Sequence, residues 1–88
     1  MARARNIKPG FFQNELLPRL EALGRLLFIG LWTLADREGR LEDRPLRIKA
    51  QLFPYEYCPV DAYLTQLDKL DFIRRYEIEN SKYIQVLE

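Results

Sequence analysis

Phe72-Ile73-Arg74-Arg75-Tyr76-Glu77-Ile78-Glu79-Asn80-Ser81-Lys82-Tyr83-Ile84-Gln85-Val86-Leu87 is the stretch whose pattern decides the fold. Its first half alternates with a period of two. Phe72, Arg74, Tyr76 and Ile78 fall on one side, and Ile73, Arg75, Glu77 and Glu79 on the other. Successive strand side chains point to opposite faces, so the alternation predicts a β-strand over residues 72–79. Both sides carry apolar groups, and the pattern alone leaves open which of them is core. A polar turn follows at Glu79-Asn80-Ser81-Lys82, with an asparagine that tolerates positive φ, and alternation resumes over residues 83–87. Together these predict a β-hairpin.

Upstream of the hairpin the period is 3.6. Val60, Tyr63, Leu64, Leu67 and Leu70 form a helical stripe over residues 59–70, with Pro59 at its start. Residues 54–58 read as a turn. Before it, Asp43 is expected to cap a short helix that has Pro45 in its first turn and is ended by Pro54. The apolar positions of that helix are Leu46, Ile48 or Ala50, and Leu52 with Phe53. Arg40-Leu41-Glu42 reads as a short extended piece with Leu41 inward. The first and most apolar helix is expected over residues 18–37, on Leu20, Leu23, Leu27, Leu31 and Leu34, with Gly39 as its stop. Trp32 belongs to its core face, and Gly24 and Gly30 suit close helix crossings. Asn14 is placed to cap a short turn ahead of it.

The order is helix, short strand, short helix, helix, strand, turn, strand. A helix-turn-helix pair backed by a hairpin is the arrangement of a winged helix. The expected fold class is therefore α+β, with three helices, a short strand after the first and a C-terminal hairpin wing. Residues 1–17 form a basic arm, anchored by the Phe11–Phe12 pair, and residues 18–88 the domain.

Composition narrows the function classes. The chain has 88 residues, 48% hydrophobic and 31% charged, which suits one folded domain. It holds no histidine and one cysteine, Cys58. The commonest general base and metal ligand is thus missing, as are a Cys–His nucleophile and any zinc spacing. No glycine-rich phosphate loop is present. A domain that acts by binding, with no catalysis, cofactor or metal, is the expectation. A lone cysteine and the lack of a secretory signal or a long apolar run point to a cytoplasmic protein that does not span a membrane. Net charge is +1, but it is unevenly placed. Removing Arg3, Arg5 and Lys8 from the 14 basic residues leaves 11 against 13 acidic ones, so the body from Pro9 onward stands at −2.

Several stretches carry a family resemblance: Arg5-Asn6-Ile7-Lys8-Pro9-Gly10-Phe11-Phe12, Leu26-Leu27-Phe28-Ile29-Gly30-Leu31-Trp32, Ala35-Asp36-Arg37-Glu38-Gly39-Arg40-Leu41 and Tyr83-Ile84-Gln85-Val86. Their phrasing resembles the N-terminal region of bacteriophage replication-initiation (replisome organiser) proteins, relatives of the DnaD-like primosomal proteins. The resemblance implies a winged helix from a longer protein of a bacterial or phage-infected cell. Such a module would bind duplex DNA, an origin for example, or partner proteins, and help recruit a helicase or helicase loader.

The candidate DNA-binding residues follow from charge and position. Arg3, Arg5 and Lys8 form an arm suited to phosphates or a minor groove. Arg44, Arg47 and Lys49 lie in a stretch without acid, with the first two on one helix face, over the phosphate backbone in a helix-turn-helix dock. Thr65, Gln66 and Lys69 lie on the outer face of the third helix, where hydroxyl and amide groups read base edges. Asp61, Asp68 and Asp71 make that helix acidic, which fits a merely solvated face as well. Arg74 and Arg75 lie on opposite sides of a strand, so at most one of them, taken as Arg75, is expected to meet DNA together with Lys82 at the wing. Tyr55 and Tyr57, in a turn flanked by prolines, suit a protein contact. The competing expectation is a protein-interaction or homo-oligomerisation module.

Overall fold

The hairpin is tighter than its polar run suggests. In the computed structural model, which describes Asn6, Ile7 and residues 9–87, strand β2 spans Ile73–Ile78 and strand β3 spans Ser81–Val86. Ile78 pairs with Ser81, so Glu79 and Asn80 alone make the turn. Their φ angles are +49° and +70°. Positive φ at both central residues is what a type I′ turn requires, and its twist matches the strands it joins. Strand β1, Arg40–Glu42, pairs with the other edge of β3, giving an antiparallel sheet of order β1-β3-β2.

Register settles which face is core. Leu41, Ile84 and Arg75 lie in one cross-strand row, with Ile73 and Val86 in a row on the same face. Ile73 and Ile84 are buried, and Leu41 and Val86 pack against the core. Arg74, Tyr76, Ile78 and Tyr83 fall on the opposite face, where the Tyr76 and Tyr83 rings lie 5.7 Å apart. One arginine thus shares the inner face with leucine and isoleucine.

Four α-helices are present among the described residues, one more than expected. The added one is α1, Gly10–Gln13, inside the predicted arm. It divides the phenylalanine pair: Phe11 packs on Phe28 and Trp32, whereas Phe12 is exposed. Asn14 accepts the Leu16 N–H at 2.8 Å, ahead of a 3-10 turn at Leu17–Arg19.

The central helix, α2, spans Ala22–Leu34 and is shorter than predicted at both ends. Upstream, Pro18 lies in the 3-10 turn, and Leu20 and Glu21 are extended with ψ of 147° and 161°. Leu20 is buried there, and its carbonyl accepts from Arg25 Nη1 at 2.7 Å. Downstream, Asp36 Oδ1 accepts the N–H groups of Glu38 and Arg40, both at 2.9 Å. Such local carboxylate–backbone bonds compete with the helical ladder. The chain therefore leaves the helix at Ala35, and Gly39, at φ +79°, serves the turn into β1 instead of the helix end.

Helix α3 is Pro45–Leu52 and helix α4 is Val60–Lys69. Leu27, Phe28 and Leu31 of α2 share one buried cluster with Ile48, Phe53, Val60, Tyr63, Leu64 and Leu67. Cys58 fills the same core as a small apolar group. At Gly30 of α2, a Cβ would come within 2.6 Å of Leu52, so that glycine permits the approach of α3. Two expectations for α3 fail. Leu46 is not a core residue but 85% exposed, leaving Ile48 as the buried one. Asp43 caps nothing: the N-cap position is Arg44, without a side-chain bond, because the Asp43 carboxylate is held elsewhere. Helix α4 ends with Asp71 at φ +65°, while the Phe72 N–H reaches Leu67 O at 3.0 Å and the Asp71 N–H reaches Asp68 O at 3.1 Å. This Schellman-type ending turns the chain into β2.

Candidate nucleic-acid interface

Three elements meet at one end of the molecule: the junction of β1 with α3, the start of α4, and the turn half of the hairpin. Sheet pairing begins the assembly, since the Asp43 N–H donates to the Lys82 carbonyl at 3.0 Å. Arg75 completes it. Its Nε and Nη2 grip Asp43 Oδ2 and Oδ1 at 2.6 and 2.9 Å, a bidentate pair. Nη2 also donates to Asp61 Oδ1 at 2.7 Å, and Nη1 to Thr65 Oγ1 at 3.2 Å. The Asp43 side chain is 4% exposed and that of Arg75 20%. The bond to Asp43 raises the Arg75 pKa most; burial opposes it, and Asp61 adds to the rise. Arg75 therefore stays charged, and its donors are engaged inside the protein. It clamps the hairpin to α4 and to the entry of α3.

The Arg44–Arg47 pair is different. Both guanidiniums lie at the start of α3 and are well exposed, with side-chain exposures of 60% and 61%. Both approach a single oxygen, Glu42 Oε1, at 3.4 and 3.7 Å. These are long contacts beside the 2.7–2.9 Å of a good charge-assisted hydrogen bond.

The remaining predicted residues divide. Lys82 is exposed and lines one groove with Arg75, Asp61 and Glu77. Thr65 sits at the clamp, its hydroxyl donating to Asp61 O at 3.1 Å while it accepts from Arg75. Gln66 and Lys69 are exposed farther along α4. Lys49 is drawn away from the arginine pair: its Nζ donates to Phe53 O at 3.1 Å, satisfying a carbonyl at the end of α3. Tyr55 and Tyr57 follow that far end of α3 and are 96% and 82% exposed. Arg3, Arg5 and Lys8 lie outside the described residues.

Three acids at this end carry roles that the sequence reading missed: Glu42, Asp43 and Asp61. An aspartate two residues before a proline reads as a helix cap, and its partner lies 32 residues away. Opposite Arg44, Arg47, Arg75 and Lys82 stand Glu42, Asp43, Asp61 and Glu77, with Glu79 on the turn, so this end is not a basic patch. Among the described residues no group of three His, Cys, Asp or Glu comes together as a metal site. Burial pushes the Cys58 thiol up, with Glu56 adding and Lys49 opposing. No described helix is long and apolar enough to cross a membrane. No protein-family model, curated protein or solved structure matches the chain.

Proposed function

We propose that this chain is a winged-helix module that binds duplex DNA in phage-type replication initiation, with helicase or loader recruitment as its wider task and no chemistry of its own. The carrying observation is the convergence of α3, α4 and the hairpin turn at one end, fastened there by Arg75. In a helix-turn-helix dock the first helix crosses the phosphate backbone and the second offers side chains to the major groove. On this reading Arg44 and Arg47 contact phosphate, Gln66 and Lys69 project from α4, and Lys82 flanks them on the hairpin. Arg75 and Thr65 then act mainly by aiming α4. The arm of Arg3, Arg5 and Lys8 supplies the positive charge that the body lacks.

The test is fluorescence anisotropy of labelled duplex DNA across a salt series. Affinity should fall with salt by a log–log slope of about 0.9 per phosphate neutralised. Arg44→Ala with Arg47→Ala should weaken binding about tenfold or more and reduce the slope by about two contacts' worth. No binding of the intact chain at low salt sinks the reading.

A second reading rests on Leu46, Tyr55 and Tyr57, three large side chains left more than 80% exposed. Exposed apolar groups of this kind suit a protein partner or a second copy. Mass that grows with concentration, little affected by salt and abolished by Tyr55→Ala with Tyr57→Ala, would favour it.

A further inference from the structure

We propose that Arg44 and Arg47 form an oxyanion seat, occupied in the free protein by the carboxylate of Glu42 and yielded to a phosphate group of the ligand. The proposal deepens the DNA reading and rests on it for the source of the phosphate. The seat itself rests on geometry.

Two guanidiniums, one on the N-cap residue Arg44 and one on Arg47 in the first turn of α3, point at the same atom, Glu42 Oε1, at 3.4 and 3.7 Å. Surface arginines usually spread apart, because like charges repel and each prefers its own water. Convergence on one oxygen is the arrangement that an anion imposes or selects. The supports belong to ordered elements on both sides. Glu42 ends β1, where it pairs in register with Tyr83, and the arginines flank Pro45 at the start of α3. Between strand and helix runs a shallow groove floored by Leu41 and Ile48, with Gln51 at its far rim. No acid stands in α3, and no side chain caps its first turn, so nothing else on that helix competes for the anion.

The two contacts are long, and the Glu42 side chain is 55% exposed. A tether this loose occupies the seat without filling it. A phosphodiester offers two non-bridging oxygens and would accept from both guanidiniums at about 2.7–2.9 Å. Glu42 therefore acts as a built-in competitor, lowering the affinity of the seat for any external anion. The Arg75 clamp makes the contrast: its carboxylate partner is buried and gripped at 2.6 and 2.9 Å.

The experiment follows the arginine Nε–Hε resonances of the full chain by NMR during titration with inorganic phosphate, and duplex affinity by anisotropy. Phosphate should shift the Arg44 and Arg47 signals and leave Arg75 unmoved. Glu42→Gln should tighten phosphate and duplex binding about three- to tenfold, the range expected for releasing two exposed ion pairs. The gain should vanish when Arg44 and Arg47 are both alanine. Glu79→Gln, which makes the same change in net charge on the hairpin turn, should give less than half the effect. A phosphate response that tightens in Glu42→Gln without any duplex binding keeps the seat and overturns the DNA reading. Duplex binding in which Glu42→Gln gains no more than Glu79→Gln overturns the seat and keeps the reading. Arg44 and Arg47 signals that ignore phosphate in both proteins also overturn the seat.

Discussion

Arg75 and the Arg44–Arg47 pair stand at the same end of the molecule and are built from the same residue types, yet they do opposite things. Arg75 occupies the inner row of the sheet beside Leu41 and Ile84, where its side chain is only 20% exposed, and its donors are engaged by Asp43, Asp61 and Thr65. Arg44 and Arg47 lie in water and share one loosely held carboxylate oxygen. Burial separates the two cases. An arginine inside must be matched internally and becomes part of the scaffold, whereas one outside keeps donors for a ligand.

The sharpest way to break the comparison is Arg75→Ala. It leaves the Asp43 carboxylate buried without a partner, a change that costs about 3–5 kcal/mol. Thermal or denaturant unfolding should show a loss of that size, a large part of the roughly 5–15 kcal/mol that holds a domain together. Arg75→Met combined with Asp43→Leu removes both charges and keeps volume in an apolar row, so it should recover most of the loss. If Arg75→Ala unfolds no more easily than the native chain, the clamp is not structural.

A second polar contact of α4, this one part-buried, extends the comparison to the start of α2. The Tyr63 hydroxyl donates to Glu21 Oε1, tying α4 to the start of α2. That bond first, and burial second, push the Tyr63 phenol from 10.0 up to about 12. A pKa raised by folding means that the native state holds its proton where the unfolded chain has lost it. Its contribution is therefore complete below pH 10 and is lost as pH rises towards 12. The unfolding midpoint should fall across that window, and Tyr63→Phe should flatten the fall. An equal decline in both proteins would show that the contact contributes nothing to folding.

The smallest stability effect belongs to the exposed pair. Arg44→Ala with Arg47→Ala should move unfolding by no more than about 0.5 kcal/mol, because exposed ion pairs hold weakly, the Arg44 side chain caps nothing and the Arg47 helix position tolerates alanine. A loss of several kcal/mol would make the pair structural, and the contrast with Arg75 would disappear.

How much of this was legible beforehand differs from element to element. The stripe Val60, Tyr63, Leu64 and Leu67 predicted α4 to within a residue at each end, since a one-sided apolar surface at helical spacing has few other ways to bury itself. The hairpin was equally clear, and its turn only narrowed to Glu79–Asn80. The end of α2 was less so. The apolar stripe runs on past Leu34, and the stop comes from the Asp36 carboxylate bonding the Glu38 and Arg40 N–H groups, a competition that apolar spacing does not report. Charge and spacing cannot tell an arginine that will be buried from one that will not. Arg75 and Arg44 looked alike as candidates.

Periodicity and the placement of proline and glycine were enough for the sequence by itself to determine an α+β chain with a helix pair and a C-terminal hairpin. These are local properties, carried by residues a few positions apart. Strand register, and with it the inward turn of Arg75, was decided only by the tertiary structure. So was the transfer of Asp43 from cap to counter-ion, with its partner 32 residues away. Each depends on which residues far apart in the chain share a desolvated space, and a charge in such a space takes whatever partner the packing brings to it.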